Sequence, residues 1–186
     1  MSVLRPPAGE LDQGSVLDGV PWNLEAAPLG IIISNTCDLE HDKVEFVIVA
    51  ALKPAREIIQ ASSEFRSKLD GAQGNVLRRK PWDSLTQLLE DLVHNSSVRR
   101  YYFLDGREAL ELDPLLVDFQ QLVSVPIAQA KDLPMRAALP SPDREKLVVH
   151  FASYTSRIGV DRQPPDRVQE LTEILSEPYR GPLEQA

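Results

Sequence analysis

The sequence predicts an α+β protein with a mostly antiparallel sheet. Three observations carry that prediction. Two β-branched stretches, Gly30 to Ser34 and Lys43 to Leu52, flank one polar loop and read as a hairpin. One apolar stripe, Leu85, Leu88, Leu89, Leu92 and Val93, makes Asp83 to His94 an amphipathic helix. Elements of one kind come in runs rather than in strict alternation, which favours a segregated arrangement of strands and helices.

Taken in order, residues 1–12 read as a flexible arm, and Ser15 to Val20 as a short strand closed by Pro21. A polar loop through Trp22, Asn23 and Pro28 leads into the Gly30 strand. Asn35 to Asp42 is rich in residues that bond their own backbone, so a turn is expected there. The following strand places Val44, Phe46, Ile48 and Ala50 on one face. Pro54 opens a helix over 55–68, because its missing N–H would be unbonded in a first turn. Gly71 and Gly74 end it, and Asp83 caps the next helix. Strands are then expected at Arg100 to Leu104, Leu115 to Phe119 and Leu122 to Val125, with a turn at Asp105-Gly106. Ser141-Pro142 starts a helix striped by Leu147, Phe151, Tyr154 and Ile158 and stopped by Gly159. Pro164-Pro165-Asp166 starts a last helix through Val168, Leu171, Ile174 and Leu175. The organisation is therefore an arm at 1–12, a sheet domain at 13–135 with a helical insertion at about 54–96, and a helical extension at 136–180.

Composition narrows the function classes. The 186 residues hold 20 Lys+Arg against 28 Asp+Glu, a formal charge of −8, and one Cys. That excludes a disulfide framework and a polybasic nucleic-acid arm. Met1 to Glu10 has no apolar run, and the longest apolar stretch, Phe46 to Leu52, is far below the ~20 residues of a membrane span. A cytoplasmic protein without membrane contact is expected. The charge is bipolar: residues 1–45 hold two basic and eight acidic residues, whereas Lys53 to Arg100 holds nine basic and six acidic.

The densest polar loop, Ser34 to Asp42, contains Cys37, Asp38 and His41. A thiol nucleophile with His41 as base is one reading, but surrounding carboxylates favour the protonated thiol. A metal site would need Cys37, Asp38 and His41 with His94 or His150, and these do not form a zinc spacing. The favoured reading makes Cys37 a small buried residue at a strand end, with Asp38 bonding the turn. No metal and no cofactor is expected. Two basic clusters lie beside aromatics: Arg78, Arg79 and Lys80 with Trp82, and Arg99 and Arg100 with Tyr101. They suit phosphates and stacked bases, or a protein partner, or simply flank element ends. The net negative charge disfavours RNA. His150, between Val149 and Phe151, reads as a satisfied, partly buried histidine.

Gly14-Ser15-Val16-Leu17, Pro28-Leu29-Gly30-Ile31-Ile32-Ile33-Ser34-Asn35, Val47 to Leu52 and Leu115 to Val125 together resemble the strands of the MazF/PemK-like toxin barrels. The resemblance covers roughly residues 13 to 53 and 100 to 126. It implies a small antiparallel SH3-like β-barrel, here with a helical insertion and a helical C-terminal tail, and it implies dimerisation. The family's catalytic Arg falls where this chain has Pro28 and Leu29, and its catalytic Thr where it has Leu52 and Lys53. Neither pair can stabilise a developing phosphorane charge or relay a proton. The expectation is a non-catalytic protein-binding or assembly module that docks a partner or self-associates. The alternatives are an endoribonuclease toxin with a relocated site, and a hydrolase or metal-dependent enzyme using the Cys37, Asp38 and His41 loop.

Overall fold

A computed structural model describes residues 1–7, 9–22, 29–40, 44–69, 79–96 and 100–156; the side chains of Asp38, Glu40, Glu64, Lys68, Leu69, Arg79, Lys80, Pro81 and Trp82 stay outside that description. The chain divides into units Met1–Thr155 and Ser156–Ala186. The expected last helix, with Ile158 and Gly159, lies outside the described residues.

Among the described residues six strands form one curled, fully antiparallel sheet: β1 (Ser15–Asp18), β2 (Leu29–Ile32), β3 (Phe46–Pro54), β4 (Tyr101–Leu104), β5 (Leu115–Pro126) and β6 (Met135–Ala138). Their order across the sheet is β4-β5-β3-β2-β1-β6. Consecutive side chains project to opposite faces, and both faces are covered. Val16, Ile31, Ala50, Leu52, Val117 and Phe119 point to one face, where Leu4 and Leu147 join them. Leu17, Ile32, Val47, Val49 and Val125 point to the other. This double cover is why the strands read as apolar runs. Gly30 is a point of close approach in the sheet, since a Cβ there would collide with the Val49 side chain.

The predicted hairpin is present, with Gly30 opposite Ala51 and Ile32 opposite Val49. Its loop departs from expectation. Thr36–Glu40 is a short helix, α1, not a turn. Leu39 is buried there at 7% exposure while Cys37 is exposed, which corrects the reading of Cys37 as a buried strand-end residue. The two residues lie about 200° apart on a helix, so burying Leu39 turns Cys37 outward.

The two strands expected at 115–125 are one strand with a register shift. Ala50 faces Leu122 but Ala51 faces Asp118, so Phe119 to Gln121 bulge from the ladder. Leu115 to Asp118 therefore pairs with both β3 and β4, whereas Leu122 to Pro126 pairs with β3.

Residues 1–12 were expected to form a flexible arm, yet Ser2 to Arg5 join the two edges of the sheet. Arg5 and Ala138 exchange two backbone bonds of 2.9 Å, beside β6. Leu4 N–H donates to Asp105 C=O at 3.1 Å, and Asp105 N–H donates to Ser2 C=O at 2.8 Å, just beyond β4. Leu4 is fully buried. No local periodicity announces this pairing, because the partners Asp105 and Ala138 lie 101 and 133 residues away from Leu4 and Arg5 in the chain.

Helices cover the sheet. The expected helix 55–68 is split into α2 (Ala55–Ala61) and α3 (Ser63–Leu69) by Ser62, whose extended backbone donates to the carbonyls of Ile58 and Ile59. α4 spans Arg79–Val93 and begins four residues before the expected cap, so Asp83 lies inside it. Pro81 is tolerated because it falls in the first turn, where its missing N–H forfeits no helical bond. α5 (Ile127–Asp132) and β6 were not predicted at all. α6 (Asp143–Thr155) matches the expected stripe, with Leu147 buried and Phe151 and Tyr154 packed on the core. No helix among the described residues is long and apolar enough to cross a membrane.

Candidate functional site: an apolar groove beside a buried ion cluster

A third apolar cluster forms where β4 and β5 meet the helical insertion. Ala55, Phe103 and Leu116 are buried, and Ile58, Ile59, Leu92 and Tyr101 pack on them. The cover is incomplete. Ile58 and Ile59 of α2, Phe65 of α3, and Leu88, Leu89 and Leu92 of α4 are all half-buried. They line a groove enclosing about 160 Å³, floored by Leu116 and rimmed by Arg100 and Tyr101. The apolar stripe of α4 is thus only partly covered: Leu85 is buried at 6% exposure, and the rest of the stripe faces the groove or its margin.

The rim is built on Asp118, which is fully buried. Arg100 donates to it through Nε to Oδ1 at 2.7 Å and through Nη2 to Oδ2 at 2.6 Å. Lys53 Nζ donates to Oδ2 at 2.8 Å, and Gln120 N–H to Oδ1 at 3.1 Å. Strand geometry creates this meeting. Ala51 and Tyr101 both sit opposite Asp118 in the ladder, so β3 delivers Lys53 and the entry to β4 delivers Arg100. The bulge at Phe119 to Gln121 turns Gln120 N–H back onto the carboxylate. The Arg100 guanidinium also lies over the Tyr101 ring, 4.9 Å from its centroid.

Electrostatically the cluster has one carboxylate for two cations. Burial pushes the Asp118 carboxyl upward, but the bonds from Arg100, Lys53 and Gln120 outweigh it and leave the group below its ordinary range. The Asp118 bond raises the Arg100 guanidinium further. Burial raises the Tyr101 hydroxyl, with the nearby Asp118 charge adding to it. A carboxylate so firmly ionised and so fully bonded is a weak base. Among the described residues this leaves two cations against one carboxylate at the edge of an apolar groove, on side chains 20% and 39% exposed.

A second cleft of about 610 Å³ lies between α6, the first residues and the end of α4. Its groups are largely paired with each other. Ser2 Oγ and Tyr102 Oη are 2.7 Å apart, Lys146 Nζ donates to Asp143 at 2.8 Å, and the buried His150 ring stands edge-on to Tyr102 with centroids 5.2 Å apart. His94 lines the same cleft. Cys37 sits on α1, whose anchor Leu39 belongs to the cluster on the opposite face of the sheet. Among the described residues no group of three or more His, Cys, Asp or Glu is placed to hold a metal ion.

Of the residues singled out from sequence, Arg100 and Tyr101 come together at the groove. Arg79, Lys80 and Trp82 belong to the first turn of α4, and Asp38 to α1, with their side chains undescribed. Arg78, Arg99 and His41 lie outside the described residues. Asp118 and Lys53 were missed. The available signal was a lone charge in each of two otherwise uncharged strands, which where both faces are covered demands a partner of opposite sign.

No family model matches the chain, and no curated protein matches it.

Proposed function

We propose that this chain is a non-catalytic protein-binding module, an SH3-like barrel of MazF/PemK-like ancestry whose helical insertion docks a partner. The observation that supports it is the open groove of half-buried Ile58, Ile59, Phe65, Leu88, Leu89 and Leu92 with Arg100 at its rim. Such a surface fits an amphipathic segment that inserts apolar side chains and sets an acidic residue beside Arg100. The surplus of basic residues between Lys53 and Arg100 in an otherwise acidic chain favours the same acidic partner. The endoribonuclease alternative, drawing on Arg78, Arg79, Arg99 or Arg100, is disfavoured because a chain of net charge −8 works against polyanion binding.

The test is capture from native extract with the full chain and with Leu89→Asp and Arg100→Ala. The same protein should be retained by the parent and lost by both variants, while Val149→Asp, at a residue 65% exposed away from the groove, keeps it. Retention by Leu89→Asp would overturn the assignment.

A further inference from the structure

Among the described residues, the second half of β5 has an edge that no strand pairs. Leu122 to Pro126 pairs with β3, and β4 reaches only as far as Asp118. Ile127 N–H donates to Glu45 C=O at 2.9 Å, which fixes the phase of the ladder. The pairs Val47–Val125 and Val49–Val123 turn their backbone groups toward each other, so Leu122 and Ser124 turn theirs outward. No strand among the described residues meets them. The open stretch is bracketed by the bulge at Phe119 to Gln121 and by Pro126, which has no N–H. Between these stops there is no charged residue, although charge is the usual guard of an exposed edge. Beside the edge, Phe46, Ile48 and Leu122 share one face of the sheet and are 51%, 42% and 41% exposed.

We propose that this edge is a self-association site, pairing antiparallel with the same edge of a second copy about a two-fold axis at Val123. That register sets Leu122 opposite Ser124 of the second copy, and the reverse, so that both residues exchange N–H and C=O bonds. Moving the axis to Ser124 would set Leu122 opposite Pro126, which cannot donate. A second copy is the occupant because an uncharged antiparallel edge complements itself under two-fold symmetry, and no charge here selects a foreign peptide. Phe46, Ile48 and Leu122 of both copies then fall on one side of a continuous sheet. Their exposed surface is roughly 200–300 Å² per copy, well short of the ~800 Å² per partner of a stable complex, so the dimer is weak. Two copies of a chain with charge −8 repel each other, so added salt strengthens the contact.

The experiment is sedimentation equilibrium of the full chain from roughly 5 to 500 μM at low and high salt, with amide exchange measured alongside. The weight-average mass should rise toward two chains, more readily in salt, and the Leu122 and Ser124 amides should slow at least ~10-fold at the top concentration. Ser124→Pro and Leu122→Lys should each keep the parent's circular dichroism and remain at monomer mass. Leu122→Lys, at an exposed position, carries the test alone if Ser124→Pro disturbs folding. A monomer throughout, a dimer surviving Leu122→Lys, or protection of these amides only by another protein would overturn the proposal.

Discussion

Replacing Asp118 by Asn removes the charge at the junction of β3, β4 and β5 while keeping the side chain's shape. The parent carboxylate is fully buried and accepts three bonds from Arg100 and Lys53. Breaking a buried ion pair costs about 3–5 kcal/mol, because the surviving charge is left unpaired. Arg100 and Lys53 are 39% and 20% exposed, so both regain water, and the cost falls to about 2–3 kcal/mol. In a chain of this size that lowers the melting temperature by about 4–12 °C. The pH dependence has a definite sign. Asp118 is held below its ordinary range, so its contribution is complete above the unfolded carboxylate pKa and disappears as pH falls through the folded value. Thermal melts of parent and Asp118→Asn should therefore differ most near neutrality and converge in acid. A neutral-pH difference under ~2 °C, or one that does not shrink in acid, would refute the view that this ion cluster holds the groove's rim.

Three further outcomes follow from single residues. Leu4→Ala should cost about 2–4 kcal/mol in urea denaturation, since Leu4 is fully buried between the sheet edges; a loss below ~1 kcal/mol would mean that the first residues frame nothing. Asn95 has a φ of 51° and bonds both Phe103 N–H and C=O, so Asn95→Gly, which keeps the backbone conformation, should cost about 1–3 kcal/mol and Asn95→Ala more, as read by chemical melts. Cys37 is exposed on α1, so a maleimide should label it in the folded protein, and Cys37→Ser should change stability by less than ~0.5 kcal/mol.

Which elements the sequence foretold depends on where their partners lie. α6 and the β2–β3 hairpin were legible because their signals are local, an apolar stripe in one and two β-branched runs in the other. The Ser2 to Arg5 segment, α5 and β6 were not, since each is short and defined by distant contacts such as Arg5 with Ala138. In β3 the strand and the shared face of Phe46, Ile48 and Ala50 are as read, but alternation did not tell how far that face is covered. Phe46 and Ile48 share a face with the buried Ala50 and Leu52, yet they lie beyond the cover of that face and stay exposed. Alternation assigns residues to a side of a sheet, and only the whole fold says how far along the strand that side is covered.

The same distinction separates the two surfaces proposed here. Arg100 and Tyr101 drew notice in the sequence as a cation beside an aromatic ring, but what Arg100 does depends on Asp118, eighteen residues later and across one strand pairing. With Lys53 the cluster sets two cations against one carboxylate, so docking at the groove has an electrostatic component that weakens as salt rises. The Leu122 edge carries no charge and must overcome repulsion between acidic copies, so its pairing strengthens over the same range. A partner bound at the groove and a second copy bound at the edge would thus exchange prominence as ionic strength changes. Leu89→Asp acts on the first and Leu122→Lys on the second, and the salt dependence of each remaining contact identifies which surface is at work.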